Sequence, residues 1–168
     1  MDIGRILIAG IGNIFFGDDA FGVEVARRLA GQPLPEGVRV VDFGIRGIDL
    51  TYALLDPYEA VILVDAVPRG GPPGTLYVLE PELDPDDDPG TLGPMVEPHA
   101  LDPARVLRLA RTLGGQVGRV LLVGCEPGPP AADDDLQMNM SELVQAAVEE
   151  AVRLIESLVV GIRAHAGR

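Results

Sequence analysis

The stretch Ile6-Leu7-Ile8-Ala9-Gly10-Ile11-Gly12-Asn13-Ile14-Phe15-Phe16-Gly17-Asp18-Asp19-Ala20-Phe21-Gly22 decides the reading of the fold. An apolar run stops at a Gly-x-Gly-Asn turn. A short loop with two adjacent carboxylates follows, and then an amphipathic run from Val23 to Leu29. That order is strand, turn, acid-bearing loop, helix. In an open α/β sheet, ligands sit beyond the carboxyl ends of the strands, which puts this loop on the functional edge.

Outward from this stretch the chain alternates apolar runs with helical patterns. A helix is predicted over 20–30, ended by the turn Gln32-Pro33-Leu34-Pro35-Glu36-Gly37. Val38 to Phe43 is a short β-branched run, hence a second strand. Gly44-Ile45-Arg46-Gly47 is a tight loop, and Ile48 to Leu55 a short helix stopped near Pro57. Ala60 to Val64 is almost continuously apolar and ends in Asp65, as expected of a strand covered on both faces.

Thr75 to Leu79 follows without an intervening helix, which suggests an antiparallel pairing with its predecessor. Residues 81–98 are rich in Pro, Asp and Gly and read as an acidic surface loop. Its Asp84, Asp86, Asp87 and Asp88 lack the spacing and closing Glu of an EF-hand. Asp102-Pro103 has the form of an N-cap with proline at the first helical position, and opens a helix to Leu113. Arg119 to Val123 is another apolar strand. Asn139 with Glu142 has capping-box spacing ahead of a last helix, Ser141 to about Val160, and residues 162–168 are expected to fray. The whole, residues 1–168, reads as a single α/β domain with helices on both faces of a mostly parallel sheet.

Composition narrows the function. The 168 residues are 47% hydrophobic, enough for one packed domain. A net charge of −13 argues against nucleic acid and anionic membrane surfaces as partners. No apolar run reaches the roughly 20 residues of a membrane span, and the N-terminus has no signal-peptide layout. The single cysteine, Cys125, excludes an intramolecular disulfide and fits a reducing cytoplasm. The apolar faces are all needed for the core, which favours a monomer.

Three strand ends carry groups capable of chemistry: Asp18 and Asp19 after the first, Asp65 after the third, Cys125 and Glu126 after the last. His99 lies in the loop before a helix and is one of two histidines, the other being His165 in the tail. Asp19, Asp65 and His99 can form an oxygen–oxygen–nitrogen site suited to nickel or zinc, with coordination positions left open. Each also has a plainer role. Asp18 or Asp19 can cap the helix that follows, and for Asp18 this is the better reading. Asp65 can bond the backbone of its own turn, His99 can be an exposed loop residue, and Cys125 a small buried one. The Gly10-x-Gly12 turn is no dinucleotide fingerprint, because Phe15 stands at the third glycine position and the carboxylates would repel a pyrophosphate.

Taken in order, Gly10-x-Gly12-Asn13, Asp18-Asp19-x-x-Gly22, Asp65-Ala66, Pro73-Gly74-Thr75, Pro98-His99 and Gly124-x-Glu126-Pro127 resemble the hydrogenase maturation endopeptidases. These process nickel–iron hydrogenase large subunits. The resemblance runs from Ile6 to the last helix. It implies a three-layer α/β fold and removal of a C-terminal extension from the large-subunit precursor after nickel insertion. The family's metal-contacting positions fall on Asp19, Asp65 and His99, with the nickel supplied by the substrate and no organic cofactor. A catalytic role for the same three is implied: a carboxylate as general base, or metal-assisted attack. Gly44, Ile45, Arg46 and Gly47 occupy the place of a threonine-containing glycine loop that meets substrate in many members; here Ile45 and Arg46 depart from that pattern. Arg46 can pair with a substrate carboxylate or be an ordinary turn arginine. Two other functions fit the residues: a thiol hydrolase with Cys125 as nucleophile and His99 as base, and a non-enzymatic nickel-dependent binding protein.

Overall fold

The computed structural model describes residues 4–81, 101–129 and 139–167. Its centre is β1 (Ile6–Ile11), buried along its whole length. Side chains alternate across a strand, so a fully buried strand must be covered on both faces. Ile6 and Ile8 join one core cluster, and Leu7, Ala9 and Ile11 join the other. The helices α1 (Phe21–Ala30) and α4 (Glu142–Ala166) cover the first face. The second face is covered by α2 (Gly47–Ala53) and α3 (Pro103–Thr112). The result is the expected three-layer α/β arrangement.

The sheet also contains β2 (Val38–Gly44), β3 (Tyr58–Ala66), β4 (Leu76–Leu79) and β5 (Val117–Cys125), in the order β2-β1-β3-β5-β4. All neighbours are parallel except β4, which is antiparallel. Its partner, however, is β5 and not its predecessor β3. The flank of β3 is taken by β5, in register from Tyr58↔Val117 to Ala66↔Cys125. The chain after β3 therefore passes the carboxyl end of a strand not yet formed in sequence order, and β4 takes the outer edge.

From β1 the chain moves to one side through α1 to β2. It then returns across β1 through α2 to β3. The winding direction reverses between β1 and β3, and the carboxyl ends of those two strands flank the crevice such a reversal opens.

Three boundaries differ from expectation. Asp65 lies inside β3, paired across to Gly124, because the parallel ladder continues beyond the apolar run. The N-cap of α4 is Ser141, not Asn139, and its side chain makes no capping bond. The end of α4 does not fray at Ile162. Ile155, Val159 and Ile162 continue one buried stripe, and Arg163 reaches the Glu36 carbonyl. At the start of α3 the expected cap is present: the Asp102 side chain accepts from the Ala104 N–H at 3.0 Å. Among the described residues no helix is long and apolar enough to cross a membrane.

If the last turns of α4 are part of the core, Ile162→Ala lowers stability by about 2 kcal/mol, the lower range for truncating a buried isoleucine. Denaturant midpoints measure it. A change below about 0.5 kcal/mol would mean that these turns contribute nothing.

Candidate active site

The acid-bearing loop is built on backbone contacts that side chains would prevent. Gly12 has φ +147, and a Cβ there would lie 1.9 Å from the Asp19 carbonyl oxygen. The glycine turn thus serves close packing of the returning loop, not the approach of a phosphate. Asn13 donates its N–H to Asp19 Oδ2 at 2.8 Å and accepts the Phe15 N–H on its own Oδ1 at 3.0 Å. A short 3-10 turn, Gly17–Ala20, then runs directly into α1. Gly22, in the first turn of α1, sits against both central strands. A Cβ there would be 2.0 Å from the Val64 carbonyl oxygen and 2.3 Å from that of Ile11. Asp19 is therefore held at the ends of β1 and β3, beside Asp65.

The charge of Asp19 bears on Asp65. Asp65 is pushed up to about 8, first by burial and second by the charge of Asp19, with only the Ala66 N–H opposing. Asp19 is also raised by burial, against the hydrogen bond from Asn13. Among the described residues no cation enters either balance. Such surroundings favour a protonated Asp65 at neutral pH or the uptake of a positive ion. Either state is suited to acid–base chemistry. Of the three residues expected to form the site, Asp19 and Asp65 are brought together, and His99 lies outside the described residues. Among the described residues no group of three or more His, Cys, Asp and Glu side chains is placed to hold a metal ion.

The end of β5 carries structural chemistry. Glu126 is buried, at 5% exposure. It accepts the Arg69 N–H at 2.7 Å, the Gly70 N–H at 2.9 Å and the Tyr77 hydroxyl at 3.0 Å. The bond from Arg69 leads the effects that hold its carboxyl below the usual range, while burial opposes them. Glu126 thereby fastens the loop that leaves Asp65. The adjacent Cys125 is fully buried, its thiol pushed up to about 12 by burial and then by the charges of Asp18, Glu126 and Glu150. A thiol in that state is not a nucleophile at neutral pH, which removes the basis of a thiol-hydrolase reading.

Asp18 does not cap α1. It crosses to Gly128 and Ser141, a role that sequence spacing cannot show. Asn13 was visible as part of the motif, but its hold on Asp19 was not. In the 44–47 loop, Gly44 has φ +56, a conformation that favours glycine. Arg46 turns back: Nε donates to the Phe43 carbonyl at 3.1 Å, another nitrogen to that of Asp42, and Nη1 lies 3.6 Å from Asp49. Ile45 is left exposed at 41%. Phe15 and Phe16 are exposed in the neighbouring loop at the same sheet edge, which is tied to this one by the Gly12 N–H donating to the Gly44 carbonyl at 3.0 Å.

Fold and pair together place two desolvated carboxyls at the switch point of an α/β sheet. The solved endopeptidase of hydrogenase maturation from Escherichia coli has the same fold, with a TM-score of 0.74 and 27% identity over 94% of this chain and 93% of that one. A NiFe hydrogenase maturation protease from Thermococcus kodakarensis follows it at a TM-score of 0.68, with 32% identity over 90% of each chain. A putative hydrogenase maturation protease from Methanocaldococcus jannaschii is 33% identical over 89% of this chain and 93% of its own length. The family model for hydrogenase maturation protease matches residues 23–158. The chain belongs to the hydrogenase maturation protease family, and it is a peptide-bond hydrolase.

The raised carboxyl has a thermodynamic consequence. Between the unfolded value of 3.8 and the folded value of about 8, the native state holds a proton that the unfolded state has lost. Stability from this group is therefore full below the unfolded value and falls as pH rises toward 8. In metal-free protein, Asp65→Asn should gain stability over wild type as pH rises from 5 to 8, by on the order of a few kcal/mol. Denaturation at both pH values measures the gap. A gap that stays constant would contradict a desolvated Asp65.

Proposed function

We propose that the protein removes a C-terminal extension from a nickel–iron hydrogenase large-subunit precursor, and that it does so after nickel has been inserted. The observation that carries this reading is the half-buried Asp19–Asp65 pair, in which desolvation and the charge of Asp19 raise Asp65 and no cation among the described residues relieves them. With His99 the pair supplies two oxygens and one nitrogen, a set that leaves positions open on a divalent ion. Nickel already held by the substrate is the ion this arrangement suits: the substrate brings the charge, and the enzyme lacks a full set of its own ligands. Loading of the precursor is thereby coupled to recognition.

In the cleavage step, water attacks the scissile carbonyl and one carboxylate of the pair accepts its proton. The C–N bond then breaks and the proton passes to the leaving amine. The nickel contributes positive charge at the site when the substrate is bound. The Gly44–Gly47 loop meets the substrate through Ile45, since the Arg46 guanidinium is already engaged within its own loop. The alternative of a binding protein without activity is disfavoured by membership of a protease family.

The test is the intact mass of nickel-loaded precursor before and after incubation. Wild-type protein should release a C-terminal fragment only from loaded precursor, and Asp19→Ala should release none. Fragment release from nickel-free precursor at the same rate would overturn the metal-gated reading. Ile45→Ser should raise KM by about tenfold with kcat unchanged, if the side chain contributes about 1.4 kcal/mol on burial against substrate. An unaltered KM would take Ile45 out of the substrate surface.

A further inference from the structure

Two aspartates stand side by side after β1, and only the second belongs to the carboxylate pair. Asp18 makes three hydrogen bonds elsewhere. Its Oδ2 accepts the Gly128 N–H at 2.7 Å and the Ser141 hydroxyl at 2.9 Å, and its Oδ1 accepts the Ser141 N–H at 2.7 Å. Gly128 follows β5, and Ser141 is the N-cap of α4. Both lie more than a hundred residues further along the chain. Space is tight at this junction: a Cβ on Gly128 would come within 3.0 Å of Asp18 Oδ2.

The Asn13–Asp19, Asn13–Phe15 and Phe16–Asp19 bonds are all internal to the acid-bearing loop. They give the loop its shape but do not place it against the rest of the sheet. The 3-10 turn that presents Asp19 has no side-chain cap of its own. Asp18 lies in that same turn, one residue before Asp19, and its bonds are charge-assisted and short. They reach the loop after β5 and the start of α4.

We propose that Asp18 is a positioning residue for the cleavage reaction. It clasps the turn after β1 to the loop after β5 and to the first residue of α4, and so fixes Asp19 at its working distance from Asp65. This rests on the proposed function, in which Asp19 acts on the substrate. Displacing a reacting group by about 1 Å is enough to lower a rate by about a hundredfold. Asp18→Asn keeps the shape of the side chain but replaces one acceptor oxygen with a donor, facing N–H groups that also donate.

The experiment compares wild type, Asp18→Asn and Ser141→Ala on nickel-loaded precursor, with far-UV circular dichroism and a thermal midpoint for each full chain. Asp18→Asn should lower kcat by tenfold or more, with KM within twofold of wild type, while the chain stays folded at the assay temperature. Ser141→Ala, which removes one of the three bonds, should lower kcat by a smaller factor, again with KM retained. A purely structural Asp18 would lower the thermal midpoint yet leave kcat per folded molecule unchanged, and that result overturns the proposal. If Asp18→Asn does not fold, Ser141→Ala decides, and an unchanged kcat in it also overturns the proposal. Failure of wild type itself to process loaded precursor would instead overturn the proposed function.

Discussion

The site depends on backbone lying directly against backbone at the carboxyl ends of β1 and β3. Gly12 and Gly22 leave no room for a Cβ, so the acid-bearing loop and the first turn of α1 settle onto the strand ends without a spacer. Side chains there would lift α1 off the sheet and carry Asp19 away from Asp65. The reversal of winding between β1 and β3 opens the crevice, and the glycines bring the acid into it.

Around that crevice the carboxylates divide by their surroundings. Glu126 is met by two N–H groups and a hydroxyl and is stabilised as an anion. Asp18 likewise accepts three hydrogen bonds. Asp65 is half-buried beside another carboxylate, and its charged form is disfavoured. The same chemical group thus serves to fasten loops in two places and keeps a raised pKa in a third. The difference lies in the number of donors supplied to it.

Much of this was legible because it is local. The continuous apolar runs of β1 and β3 mark buried parallel strands, and the convergence of strand ends places Asp19 and Asp65 on one sheet edge. The ordered motifs gave the family. What stayed hidden is non-local. Nothing near Leu76–Leu79 says that its partner is β5, since the pairing is set by which strand occupies the flank of β3. The bond from Ser141 to Asp18 spans 123 residues, and capping logic assigned Asp18 to the adjacent helix instead. The end of α4 was placed too early because Gly161 and the polar residues after it weaken the pattern, while burial of Ile162 carries the helix on. Asp65 looked like a turn residue because apolarity stops before the ladder does.

The clasp between Asp18 and Ser141 also orders events in time. The first strand and its acid loop leave the ribosome early, and α4 emerges last. β4 likewise waits for β5 before it has an edge to join. Contacts of such long sequence separation close late in folding. A nascent chain carries Asp18 and Asp19 for most of its synthesis before Ser141, the partner of Asp18, has emerged. Closure of this clasp thus waits on α4, the last of the described helices, and the turn after β1 is joined to it only when that helix has formed.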